Sequence, residues 1–95
     1  MALREEPVAP EPAGHDLPLP GPDSSGDELF KMGLLYSTGQ GGAPRDYVSA
    51  HMLFNLAAMR GNEDATRLRR EIADQMSEAE IAAAQRAARA WLKAN

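Results

Sequence analysis

The chain has 95 residues, no cysteine and a net charge of −4. That length allows one domain at most, and the absence of thiols excludes disulfide staples and thiolate zinc sites. The charge is concentrated in the first 26 residues, where Glu5, Glu6, Glu11, Asp16 and Asp23 face Arg4 alone, while cations and anions balance from Asp27 onward; a neutral remainder argues against general nucleic-acid binding.

Six of the seven prolines (Pro7, Pro10, Pro12, Pro18, Pro20 and Pro22) fall in the same segment. Proline removes backbone donors and favours extended conformations, so residues 1–26 are expected to form a disordered, acidic, polyproline-biased tail. Residues 27–95 are left for the fold. A core that small supplies only a few kcal/mol unless packing is good or the chain associates. No apolar run approaches the roughly 18 residues that span a membrane, and Glu5, Glu6 and the prolines interrupt any signal-peptide core. The expectation is a soluble chain without membrane insertion, with the cytoplasm favoured over the periplasm.

Four helices are expected, at about 27–38, 46–60, 63–75 and 78–93. The first opens at a capping box, Ser25-x-x-Glu28, and carries Leu29, Met32, Gly33 and Tyr36 on one stripe. Gly33 costs about 1 kcal/mol of helix propensity relative to alanine, and close approach of the second helix is the reason it suggests. The helix stops near Thr38 at Gly39. A loop, Gly39–Arg45, leads to the second helix, with Pro44 setting the approach and Asp46 as N-cap. That helix buries Tyr47, Ala50, Phe54, Ala57 and Ala58, and Gly61 suits the position after its end. Asn62 or Glu63 opens the third helix, with Ala65, Leu68, Ile72 and Met76 inward and the pairs Glu63–Arg67, Arg67–Glu71 and Arg70–Asp74 outward. Ser77-x-x-Glu80 is a second capping box, and Ile81, Ala84, Ala88 and Trp91 form the buried side of the last helix.

The spacing Met32-Gly33-x-x-Tyr36-x-x-Gly39-x-Gly41, followed by Asp46, Ala50, Phe54, Ala57, Ala58 and Gly61, resembles the Sel1-like repeat, a relative of the tetratricopeptide repeats. The run Met76–Gln85 is similar to the tail that closes small bacterial members. The resemblance implies an all-α, α-α superhelix: one full helix-loop-helix repeat plus a degenerate C-terminal capping helix pair. Arg69-Arg70 stand where the second repeat would carry Leu-Gly, so the third helix is not expected to pack on the fourth as the first packs on the second. Such repeats usually hold surfaces for other proteins. In tetratricopeptide-like repeats the other face of the first helix lines a groove; here that face would carry Phe30, Leu34, Ser37 and Thr38, beside Asp27. The alternative is that helix three covers these residues as ordinary packing.

No catalytic, metal or cofactor site stands out. Gly39–Gly42 lacks the lysine and following Ser/Thr of a phosphate loop and has no strand before it, so it reads as a helix connector. His15 lies in the tail, and His51 has Tyr47 and Asn55 rather than ligands one turn away, which suggests a satisfied interhelical histidine. Arg60, Arg67, Arg69 and Arg70 could face an anion, but interleaved Glu63, Asp64, Glu71 and Asp74 favour a solvated, paired face; the acidic tail folding back on them is a further option. β-Lactam chemistry, linked to cysteine-rich relatives, lacks both the cysteines and a Ser-x-x-Lys here. The expectation is a non-catalytic adaptor that binds another protein. The alternative is a self-assembling unit: a homodimer, or the end piece of a longer array.

Overall fold

The computed structural model describes residues 20–40 and 45–94. They form an all-α fold of four helices: α1 (Gly26–Thr38), α2 (Tyr47–Met59), α3 (Glu63–Ala73) and α4 (Glu78–Ala94). Residues 1–19 of the expected tail and residues 41–44 of the loop, Gly41 and Pro44 among them, lie outside the described residues, as does His15.

Local chemistry sets the ends of the helices. The Ser25 hydroxyl accepts from the Glu28 amide at 3.0 Å while Glu28 Oε1 accepts from the Ser25 amide at 2.8 Å, which completes the capping box. Ser77 and Glu80 repeat the arrangement before α4. Asp46 caps α2 and Asn62 caps α3, each accepting from an amide three residues on. At the end of α2, Gly61 adopts φ 94°, a conformation that only glycine takes without strain. The Gly61 amide donates to Ala58 and the Asn62 amide to Ala57, so the chain closes in a Schellman motif. Gly39 ends α1 in the same left-handed region, with φ 75°. The Asp46 amide donates to the Tyr36 carbonyl at 2.9 Å, tying together the two sides of the α1–α2 loop.

Helix α2 is the centre of the molecule, and α1, α3 and α4 each pack on it. Its buried residues Ala50, His51, Leu53, Phe54, Leu56 and Ala57 extend well beyond one stripe, because neighbours approach it from several sides. The single apolar face expected for this helix missed His51, Leu53 and Leu56. Tyr47 and Ala58, expected inside, are half-buried. Against α2 lie Leu29 and Met32 of α1, Ala65 and Ile72 of α3, and Ala88 of α4. Alanines at 84 and 88, both buried, leave room for α4 to approach closely. α3 and α4 each pack mainly on α2, unlike the close pairing of α1 with α2, as Arg69-Arg70 led one to expect.

Gly33 sits against the ring of Phe54. A Cβ at position 33 would stand 2.5 Å from Phe54 Cε1 and 2.7 Å from Cδ1, so the helix-breaking residue is there to admit an aromatic ring. The Phe54 ring also meets Phe30, with centroids 5.6 Å apart and the planes tilted by 44°, a favourable aromatic geometry.

Residues 20–26, placed in the expected tail, pack with the helices. Gly26 is buried inside α1, and Pro20, Gly21 and Ser24 are half-buried ahead of it. Gly21 and Ser24 close a turn with Pro22 and Asp23 at its centre: the Ser24 amide donates to the Gly21 carbonyl at 3.0 Å, and the Gly21 amide donates to Ser24 Oγ at 2.9 Å. Arg60 then reaches across from the end of α2. Its Nη1 donates to the carbonyls of Pro22 (2.9 Å) and Ser24 (2.8 Å), and its guanidinium lies 5.2 Å from the centre of the Trp91 ring. One side chain thus joins the segment before α1 to the last turns of α2 and α4 through charge-assisted hydrogen bonds and a cation–π contact. Proline content alone suggests an extended tail, but a Pro-Asp turn with outward carbonyls gives an arginine something to bind.

Candidate interaction surface

The four residues expected to face a partner lie on α1, on the side that carries Phe30. Phe30 and Leu34 are half-buried and packed against the core. The Ser37 and Thr38 hydroxyls both donate to the Leu34 carbonyl, at 3.1 and 2.8 Å, so they satisfy their own helix end. Thr38 Oγ1 also accepts from the Gln40 amide at 3.3 Å. Of the residues that carry the sequence resemblance, Met32, Gly33, Ala50, Phe54 and Ala57 are buried, Tyr36 and Ala58 are half-buried, and Gly39, Asp46 and Gly61 shape the helix ends.

The opposite flank of α1 carries a feature not expected from the sequence. Glu28, Lys31, Met32 and Leu35 line an open depression of about 130 Å³. Their spacing of three, one and three is a helical stripe in its own right. Leu35 is half-buried, while Glu28 and Lys31 are exposed at the rim. The spacing is present in the sequence, but Met32 belongs to both stripes, and the core stripe masks the second. Two further apolar residues are open to solvent: Met59, 60% exposed at the end of α2, and Leu92, 40% exposed at the end of α4.

The arginines separate into different roles. Arg67 is exposed and pairs with Asp64 at 3.6 Å and Glu71 at 3.3 Å, a solvated arrangement worth little. The expected Glu63–Arg67 and Arg70–Asp74 pairs do not form among the described residues, Arg67 taking Asp64 instead of Glu63. Arg69 is half-buried and donates to Asn55 Oδ1 at 2.7 Å, linking α3 to α2. Asn62 Nδ2 donates to Asp27 Oδ1 at 3.0 Å, and Tyr47 Oη donates to Gln75 Oε1 at 3.3 Å. The first links α1 to the start of α3, and the second links the start of α2 to the residues just beyond α3.

His51 overturns the expectation of a satisfied histidine. It is 4% exposed, and its Nδ1 has no hydrogen-bond partner among the described residues. Burial, and secondarily the positive charge of Arg69, lower its pKa below the ordinary 6.5. The folded state therefore refuses a proton that the unfolded chain accepts. Stability is complete above the unfolded value and falls as pH drops below about 6.5. Urea midpoints measured between pH 7.5 and 5.5 are expected to decline, and His51→Leu is expected to flatten that decline. An equal slope in both proteins would remove His51 as its source.

Among the described residues no group of three or more His, Asp or Glu side chains is placed to hold a metal ion, and no helix is long and apolar enough to cross a membrane. Comparison with protein-family models, with curated proteins and with solved structures returned no match.

Proposed function

We propose that the chain is a non-catalytic protein-interaction module of the Sel1-like helical-repeat type. In this reading α1 and α2 form one full repeat, and α3 and α4 form a degenerate pair that caps it. The observation that supports it best is the state of α1. Its main packing partner is α2 alone, which leaves Phe30, Leu34 and Leu35 only half-buried on its flanks. A helix or extended peptide of a partner protein would lie along the Phe30–Leu34 flank, with Ser37 and Thr38 at its end. Apolar side chains one turn apart are the usual anchors for such a segment.

The two flanks can be tested separately. Wild type, Leu34→Glu and Leu35→Glu would each serve as bait against an extract of the source cells, after circular dichroism shows that each is helical. A partner identified by mass spectrometry with wild type and Leu35→Glu, and lost with Leu34→Glu, is the expected result. The same set recovered with all three baits would end the assignment to the Phe30–Leu34 flank.

A second reading, self-assembly, is favoured by the depression on the other flank, where a cation and an anion border an apolar floor.

A further inference from the structure

Glu28 and Lys31 are three residues apart on one helix, close enough to pair with each other, yet they do not. Glu28 turns back to the Ser25 amide through Oε1, leaving Oε2 without a partner among the described residues. Lys31 is exposed and has no ion pair among them either. Between them and Leu35 lies the floor of Met32, so each copy displays an unpaired cation, an anion with one oxygen to spare, and an apolar strip. A surface carrying both signs around an apolar centre is complementary to itself under two-fold rotation.

We propose that the Glu28–Leu35 flank of α1 is an isologous docking surface for a second copy of this chain, with the two α1 helices antiparallel. This rests on the self-assembly reading above and specifies its interface. With the two-fold axis between Lys31 and Met32, Glu28 lies opposite the partner's Leu35. At 1.5 Å of rise per residue, the partner's Lys31 is offset from Glu28 by about 6 Å along the axis, a span its four-carbon stem covers. Symmetry gives two such pairs, one on each side of a seam made by the Leu35 side chains, the lysine stems and Met32. α1 packs mainly on α2, and neither α3 nor α4 contributes a lining residue to this flank. A fold this small gains stability from association that its own core cannot supply.

Sedimentation equilibrium of the full chain over a wide concentration range tests the proposal, with circular dichroism confirming helicity of each variant. Wild type is expected to dimerise reversibly. Leu35→Glu should lower the association constant by about tenfold or more, since it places two carboxylates in a desolvated seam. Lys31→Glu should weaken association severalfold, and Glu28→Gln/Lys31→Glu, which keeps a side-chain cap for the Ser25 amide, should recover part of that loss by removing the carboxylate repulsion across the axis. Leu35→Ala, which adds no charge, should fall between wild type and Leu35→Glu. A chain that stays monomeric throughout would overturn both the interface and the self-assembly reading. A dimer unaffected by Leu35→Glu would overturn the interface and leave self-assembly standing on another surface. Loss with Lys31→Glu that Glu28→Gln/Lys31→Glu does not partly recover would overturn the antiparallel register.

Discussion

Phe54→Ala is expected to leave the chain largely unfolded at room temperature. Phe54 is 0% exposed and is the ring on which Gly33 and Phe30 both rest. Truncating a buried phenylalanine typically costs about 3–5 kcal/mol. A single core of this size rarely provides more than about 3–5 kcal/mol in total, so the substitution consumes most or all of it. Gly33, which faces the ring, has no side chain to move into the gap. Far-UV circular dichroism should show loss of most helicity, and Phe54→Leu, which keeps more of the volume, should retain a cooperative but weakened urea transition. If Phe54→Ala unfolds at nearly the wild-type urea midpoint, Phe54 is not the keystone of the core.

The helix ends were legible in the sequence because their physics is local. Ser25 with Glu28, Asp46, Asn62, and Ser77 with Glu80 each satisfy an amide within three residues, so spacing alone reveals them. Gly33 was legible for a related reason: a costly residue inside a helix implies something pressing on it, and Phe54 does so. What stayed hidden depends on distance along the chain. Arg60, Arg67 and Arg69 look alike in sequence, each with acids nearby. Arg67 does remain in solvent with those acids. Arg69 leaves them for Asn55, fourteen residues away, and Arg60 bridges to Pro22, thirty-eight residues away, and to Trp91. Which arginine does which follows from where α3 and α4 lie on α2, and periodicity carries no such information. The burial of Leu53 and Leu56 has the same origin: a stripe measures one face, whereas a helix with three neighbours has several.

The second large effect concerns Gly33→Ala, in which two terms oppose each other. On an open helix this change would stabilise by about 1 kcal/mol, through backbone entropy alone. Here the new methyl would stand 2.5 Å from Phe54 Cε1, more than an ångström inside ordinary carbon–carbon contact. The ring is also packed against Phe30, with centroids 5.6 Å apart, which restricts its movement. Overpacking of this kind costs about 1–3 kcal/mol, so the clash should outweigh the gain and leave a net loss of up to about 2 kcal/mol, with Gly33→Leu losing more. The diagnostic is the sign in a second background. In Phe54→Leu the ring is gone, the same methyl has room, and Gly33→Ala should become neutral or stabilising. The propensity gain cancels in a double-mutant cycle, so the coupling measured in urea between positions 33 and 54 should equal the clash, about 1–3 kcal/mol. Additive effects, or a stabilising Gly33→Ala in the wild-type background, would mean that α1 and α2 do not approach as closely at this point as the Gly33–Phe54 geometry requires.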